Sequence, residues 1–374
     1  MTPLLDTSAP TVPLGGLSPR QFMRRHWQKR PLLIRQALPN VKAPLTRAAL
    51  FELASREEVT SRLVCQDGED WSLRRGPLKR RSLPPVARPG WTLLVQGLDR
   101  HVPAAHELLS LFRFLPAARL DDLMLSWASD GGGVGPHLDS YDVFLIQVQG
   151  RRRWRIGPAR DSALRPGLPL KILATFVPEE EWLLEPGDML YLPPGWAHEG
   201  VAVGECMTAS VGFRAPERAE LARDVLSRLL EDDDAPPVLY RDPSQGATDT
   251  PGQVPVALQR FAADAVARAV RNPRLLQSAL GEALTEPPST VWFTPSASPQ
   301  SAGGVRLDPA SRMLYDKAHV FLNGESWQAS GRDATLMRRL ADVRELCAEE
   351  LARASDAARE LILQWLEDGW LHPA

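Results

Sequence analysis

The chain has 374 residues, more than one ordinary hydrophobic core organises, so two or three domains are expected. A hydrophobic share of 44% with 24% charged residues is that of a globular chain and excludes a disordered or fibrous one. The formal net charge of −2 excludes a chain-wide bias toward polyanions, though not a local basic face.

The first 20 residues lack a basic start followed by an apolar run, so no signal peptide is expected. No stretch approaches the ~20 apolar residues that cross a bilayer. Residues 18–55 read as largely helical. Ser18-Pro19 offers a cap with Pro at the first helical position, and Phe22, Met23 and Trp27 recur on one face. Pro31-Leu32-Leu33-Ile34 interrupts this as a short strand, and 45–64 reads as one or two further helices.

From Trp91 to Phe213 the pattern changes to short apolar or alternating runs separated by Gly and Pro. Strands are expected at 91–96, 122–129, 142–148, 152–157, 182–185, 188–192 and 206–213, with a hairpin turning at Gln149-Gly150. So many short strands suit a sandwich or barrel. After Pro216 the character is helical: 217–231, with Leu221, Val225 and Leu229-Leu230 on one side, then 255–270 and 273–284. Asp232-Asp233-Asp234 opens a polar connection that runs to about Gln253. The last stretch mixes strands at 305–308, 312–316 and 318–322, a hairpin turn at Asn323-Gly324, and helices at 333–353 and 356–368. Cys65, Cys206 and Cys347 are isolated and odd in number, which supports neither a disulfide framework nor a thiolate metal site and fits a reducing cytoplasm.

Chemistry concentrates in the strand-rich region. In Gly135-Pro136-His137-Leu138-Asp139 the chain enters a strand, where residues i and i+2 share a face, so His137 and Asp139 point the same way. His198 follows a Pro-Gly-Asp turn, a strand and Pro193-Pro194-Gly195-Trp196-Ala197. A lone His-x-Asp is weak evidence; this second segment strengthens it. Two His and one carboxylate on one face of a metal leave three positions open, the arrangement of non-haem iron(II) oxygenases, with room for a bidentate 2-oxo acid and for O2.

Along 151–156, Arg151, Arg153 and Arg155 alternate with Arg152, Trp154 and Ile156, and the second set is the apolar one. Arg152 should therefore point inward. A buried guanidinium without an anion costs several kcal/mol, and its planar fork suits a carboxylate. The distal carboxylate of 2-oxoglutarate is one candidate; a protein acid is the other. Ser126 lies on a strand leading to the triad and could bond the same carboxylate. Thr208 and Ser210 share one face of the strand after His198 and are candidates to line the same pocket, Thr208 as a further co-substrate residue. Asp130 and Tyr141 flank the metal residues, where an acid could meet a cationic substrate or simply decorate the surface.

Together, Trp91-Thr-Leu-Leu-Val-Gln96, Gly131-Gly-Gly-Val-Gly-Pro-His137-Leu-Asp139, Tyr141-Asp-Val-Phe144, Gly150-Arg-Arg-Arg-Trp154 and Leu192-Pro-Pro-Gly-Trp-Ala-His-Glu199 resemble the JmjC-type ribosomal oxygenases. The bacterial members that hydroxylate an arginine of ribosomal protein uL16 are the nearest in pattern. Trp27-Gln-Lys-Arg-Pro-Leu-Leu-Ile34, Ser210-Val-Gly-Phe-Arg-Ala-Pro216 and Tyr240-Arg-Asp-Pro243 extend the likeness. The resemblance implies a mainly β fold with α: a double-stranded β-helix (cupin/JmjC) core with N-terminal helices over 1–215, a helical dimerisation region over 216–286 and a winged-helix-like α+β domain over 287–374. It implies iron(II) on His137, Asp139 and His198, and 2-oxoglutarate on Arg152 and Ser126. The reaction implied is hydroxylation of an arginine β-carbon with O2 as co-substrate and succinate and CO2 as products. Asp130 and Thr208 depart from the family's pattern, which bears on substrate fit more than on iron chemistry.

Two other classes stay open on the residues alone. A zinc or manganese isomerase or hydrolase would share barrel and triad without needing Arg152. A small-molecule sensor with a nucleic-acid-binding C-terminal domain is the other. Against it, helix 333–353 mixes Arg338, Arg339 and Arg344 with Asp342, Glu345, Glu349 and Glu350, and no direct nucleic-acid binding by the chain is expected. The helices of 217–284 either bury an apolar face against a second copy, giving a homodimer, or pack within the chain.

Overall fold

The computed structural model describes residues 6–231, 238–295 and 303–374. They form two compact units: one runs up to Ala215 and includes Ser289–Phe293, the other comprises Pro216–Pro288 and Thr294–Ala374.

The first unit holds α1 (Pro19–Arg25), β1 (Leu32–Ile34), α2 (Arg47–Leu53), β2 (Ser61–Asp67), β3 (Asp70–Arg75), β4 (Trp91–Val95), α3 (Pro103–Ser110), β5 (Leu120–Ala128), β6 (His137–Leu138), β7 (Val143–Pro158), β8 (Glu180–Leu184), β9 (Met189–Leu192) and β10 (Trp196–Phe213). Its ten strands make one sheet in the order β1-β9-β7-β10-β5-β4-β2-β3, with β6 added to β10 and β8 to β7. Every pairing in it is antiparallel. One face of the sheet is packed by Phe22, Phe144, Tyr191, Phe213, Trp91 and Trp127, all buried, with the Trp91 and Trp127 rings 4.4 Å apart. A second cluster of Val143, Leu145, Trp154, Ile156, Leu184, Leu190 and Leu192 adjoins the site described below.

Three expectations for this unit change. Residues 18–55 contain only two short helices around the foreseen strand. Ser18 does cap α1: its hydroxyl accepts from the Gln21 amide at 3.3 Å, and the Gln21 side chain accepts from the Ser18 amide at 3.0 Å. The helix expected to reach residue 64 stops at Leu53. Ser61–Asp67 is instead a strand, because β3 and β4 pair on both of its edges and sheet pairing outweighs local propensity. The β2–β3 hairpin turns at Gly68, whose φ is +60°; Asp67-Gly68 was its unread signal. Finally, no hairpin forms at Gln149-Gly150. β7 runs through as one strand, both halves paired to β10, with a register shift where Met207 faces Gln149 and Thr208 faces Gln147. Gly150 takes φ +63°, and a Cβ there would strike the Glu205 carbonyl. The extra residue Val148 swaps the faces: Val143, Leu145 and Gln147 share one face with Arg152, Trp154 and Ile156 only because of this bulge.

The second unit carries α4 (Arg218–Glu231), α5 (Val256–Ala269), α6 (Pro273–Thr285), β11 (Gly304–Leu307), β12 (Met313–Tyr315), β13 (His319–Leu322), β14 (Glu325–Gln328), α7 (Gly331–Val343), β15 (Glu345–Cys347), α8 (Ala348–Leu351), α9 (Asp356–Glu367) and β16 (Leu371–Pro373). The helices 217–231, 255–270 and 273–284 are where the pattern put them. Asp232-Asp233-Asp234 lies outside the described residues. Leu221, Val225 and Leu229 of α4 pack on Ala279, Leu280 and Ala283 of α6, whereas Leu230 is exposed. The β13–β14 turn uses Asn323 and Gly324 with φ +49° and +92°, as the Asn-Gly pair predicts. The helix expected over 333–353 breaks at Arg344, whose φ of +66° ends α7; β15 then pairs with β11. The Arg344 guanidinium donates to the carbonyls of Asp308 and Ser311, so tertiary contacts, not propensity, fix the break. Among the described residues no helix is long and apolar enough to cross a membrane.

Candidate metal centre

The strands deliver the three candidate ligands together. His137 on β6 and His198 on β10 are directly opposite in register, and Asp139 follows two residues on from His137. One ligand atom from each lies within 4.8 Å of the other two. His137 Nε2 is 4.0 Å and His198 Nε2 3.7 Å from Asp139 Oδ2. Both rings are aimed by the same device: His137 Nδ1 is 2.9 Å from the Gly135 carbonyl and His198 Nδ1 is 3.1 Å from the Trp196 carbonyl. Each Nδ1 thus carries the proton and each Nε2 presents a lone pair toward Asp139. Burial, and then the His137 ring, push the His198 imidazole down to about 4, with Asp139 opposing; it is neutral near pH 7, the form that ligates.

Arg152 behaves as the alternation requires. It is 5% exposed, with Trp154 and Ile156 also buried, while Arg151 and Arg153 are exposed. Its Nη1 reaches the Ser126 hydroxyl at a marginal 3.5 Å, and Trp154's ring centroid lies 5.7 Å from its Cζ. Its Nε and Nη2 are buried with no partner. Among the described residues no acid pairs with it. The competing reading, a salt bridge within the protein, is therefore absent among the described residues. Trp154 links this end of the cavity to the metal end: its ring lies 5.9 Å from that of His198. It fills the space over Gly200, where a Cβ would sit 2.7 Å from it.

Across β5, β10 and β7, Ser126, Thr208 and Gln147 form one row. Ser126 donates to the Thr208 carbonyl at 3.2 Å, and Thr208 Oγ1 donates to Gln147 Oε1 at 3.0 Å. Gln147 is fully buried and was not foreseen. Its Nε2 donates to the carbonyls of Gln149 and Gly150, holding the bulge that turns Arg152 inward. Its signal was a lone amide inside the apolar run Val143-Phe-Leu-Ile-Gln-Val148. Tyr141 lies two residues from Asp139: the residue is 39% exposed, but desolvation of the hydroxyl, then the Asp139 charge, hold the phenol above its ordinary value, so it stays a donor. Asp130 does not close on the triad by any described bond; its Oδ1 accepts the Gly204 amide at 2.7 Å, a tie between loops.

This sheet and site define a class. Residues 107–221 match the JmjC domain family and residues 264–372 a ROXA-like winged helix, so the chain combines a mainly antiparallel JmjC/cupin core with a C-terminal winged-helix domain. The JmjC-type 2-oxoglutarate-dependent dioxygenases are the class that fits. The chain is 44% identical over 229 residues to the ribosomal protein uL16 3-hydroxylase of Escherichia coli strain K12; that match spans 58% of this chain and 60% of the relative. It is 28% identical over 391 aligned residues to a probable ribosomal oxygenase of Haemophilus influenzae, covering 95% and 96% of the two. A solved structure of YcfD, a ribosomal oxygenase from Escherichia coli in complex with cobalt and 2-oxoglutarate, superposes with a TM-score of 0.78 at 31% identity, over 95% of this chain and 98% of that one. The chain belongs to the ribosomal oxygenases.

Proposed function

We propose that this protein is an iron(II)- and 2-oxoglutarate-dependent hydroxylase that acts on the β-carbon of an arginine in ribosomal protein uL16. The observation that carries the reading is Arg152: a buried guanidinium with two unpartnered donors on the same interior face as a His-Asp-His cluster. That combination fits a dicarboxylate with its oxo-acid end at the metal. His137, Asp139 and His198 would hold the iron, which would use O2 and 2-oxoglutarate to oxidise a C–H bond, with succinate and CO2 released. Arg152 and the Ser126 hydroxyl would bind the distal carboxylate, with Thr208 and Gln147 fixing the wall behind it. Tyr141 would steer Asp139 and border the substrate's path, with Asp130 at the adjacent loop. Zinc hydrolase chemistry leaves the orphaned guanidinium without a purpose, and a sensor leaves the open metal face without one.

The same reading carries a cytoplasmic setting and the division 1–215, 216–286 and 287–374. It also carries homodimerisation through the helical region. In support of the last, Leu226, Leu230, Val256, Leu258, Val266 and Val270 are exposed there, and α5 buries none of its residues. The function is tested by mass spectrometry of a uL16 arginine peptide incubated with protein, iron(II) and 2-oxoglutarate. A gain of one oxygen is expected with wild type and none with His137→Ala. An unmodified peptide from the wild-type reaction overturns the reading.

A further inference from the structure

Between Trp71 and Leu98 the chain has six cations, Arg74, Arg75, Lys79, Arg80, Arg81 and Arg88, and no acid at all. All six are exposed. They sit on β3 and on the turns and 3-10 segment Arg80–Ser82 that follow it, and the backbone beneath them is pinned. The Gly76 amide donates to the Ser61 carbonyl at 2.8 Å, the Leu78 amide to the Ala54 carbonyl at 2.7 Å, and Arg74 to the Ser82 carbonyl at 2.8 Å. Arg80 lies over the Phe51 ring at 4.7 Å.

Their charge is not consumed locally. Among the described residues only Arg88 forms an ion pair, a loose one of 3.9 Å to the exposed Asp67. The nearby acids Glu52, Glu57 and Glu58 form no described ion pair with the others, and Glu69 at the hairpin tip pairs with Arg165. Asp70 begins β3, five residues from Arg75 and so roughly 15 Å away along the strand. Protection of an edge strand explains Arg74 and Arg75, since β3 ends the sheet. It does not explain Lys79, Arg80 and Arg81, which lie beyond the strand.

We propose that this ribbon binds the phosphodiester backbone of RNA. Three observations select that partner. Six exposed cations with no acid among them suit a polyanion. No large apolar side chain is exposed anywhere between 71 and 98, which leaves a lipid surface nothing to insert into and a protein partner no apolar anchor. The carriers are a strand and a tight 3-10 turn, a rigid comb suited to sequence-independent charge contact. The choice of RNA among phosphate polymers rests on the proposed ribosomal substrate; the charge argument does not. The C-terminal helix weighed for nucleic acid above has mixed charge, and this segment does not.

The test is fluorescence anisotropy with a labelled, unstructured 20-nucleotide RNA and the full chain, without iron or co-substrate, across a salt series. Wild type is expected to bind, with affinity falling steeply as salt rises. The triple variant Arg75→Ser/Lys79→Ser/Arg81→Ser removes three side chains that make no described hydrogen bond or ion pair. It is expected to bind at least about 10-fold more weakly at low salt, with a log–log salt slope shallower by about 2. Its hydroxylation of the isolated peptide is expected to match wild type. Wild-type and variant curves that coincide, or a poly-glutamate peptide that competes as well as RNA, overturn the proposal. Because the binding readout needs no turnover, a failed hydroxylation assay leaves this result interpretable by itself.

Discussion

Asp142 and Arg152 are both buried in the catalytic unit, and they are treated in opposite ways. Asp142 has no exposed surface, and its carboxylate accepts from the Tyr191 hydroxyl at 2.6 Å, Gln28 Nε2 at 3.0 Å and Arg119 Nη2 at 3.5 Å. Arg152 is almost as buried, yet two of its nitrogens have no partner and a third only a marginal one. A buried charge is tolerated when hydrogen bonds replace its water. Asp142 meets that condition within the chain. Arg152 does not, so its counter-ion must arrive from outside. A saturated buried charge is architecture, and the unsaturated one is what supports the proposed co-substrate site.

The comparison predicts its own largest effect. Asp142→Ala strands the buried Tyr191 hydroxyl and removes the acceptor that the more exposed Gln28 and Arg119 share, and should lower stability by about 1–3 kcal/mol, read as a fall in the urea midpoint. Arg152→Met removes a charge that has no partner and should leave the unliganded protein as stable as wild type or more so. What it should lose is the co-substrate. With two charge-assisted bonds of about 1.5–3 kcal/mol each at stake, 2-oxoglutarate should bind at least about 100-fold more weakly to the manganese-loaded variant by calorimetry. Equal destabilisation by both substitutions, or unchanged affinity in Arg152→Met, breaks the contrast.

That Arg152 points inward was legible, because period-two alternation along 151–156 needs only the side-chain types. The triad was legible for the same reason, with i and i+2 on a strand and a second His behind a Pro-Pro-Gly turn. The helical stretches after Pro216 announced themselves through 3.6-residue periodicity. What was not legible depended on partners distant in sequence. β7 was divided at Gly150 because a glycine after Gln149 looks like a turn; only pairing with β10 on both sides shows a bulge. Ser61–Asp67 became a strand because β4, some thirty residues on, supplies its second edge. Asp142 gave no sign of its role, since its three donors come from Gln28, Arg119 and Tyr191.

A second buried carboxylate, Asp122, lies between those two extremes. Asp122 accepts one amide, that of Gly97 at 2.7 Å, and is 6% exposed. Burial, then the charges of Asp121 and Asp99, push its carboxyl from 3.8 up to about 7. A carboxyl raised on folding gives its full stabilisation below its unfolded value and loses it as pH climbs through the folded one. Wild type should therefore weaken by about 2 kcal/mol between about pH 5 and pH 8 relative to Asp122→Asn, whose amide oxygen can still accept from Gly97. Urea midpoints at the two pH values measure this. A variant that tracks wild type at both would mean that Asp122 is solvated like an ordinary surface acid.

The smallest effect is expected next door to the largest contrast. Arg153 neighbours Arg152 on β7, but it is exposed and its Nε lies 3.3 Å from an equally exposed Glu181. Ion pairs of that kind contribute little, because water already screens both charges and two long side chains must be ordered to form them. Arg153→Ala should shift the urea midpoint by less than about 0.5 kcal/mol and leave 2-oxoglutarate affinity within error of wild type. The two arginines share residue type, strand and immediate surroundings in sequence, and differ only in the face that the Val148 bulge assigns them. A loss of affinity in Arg153→Ala approaching that of Arg152→Met would mean that β7 presents the other face to the co-substrate. In that case the bulge held by Gln147, and not the guanidinium alone, would have been misassigned.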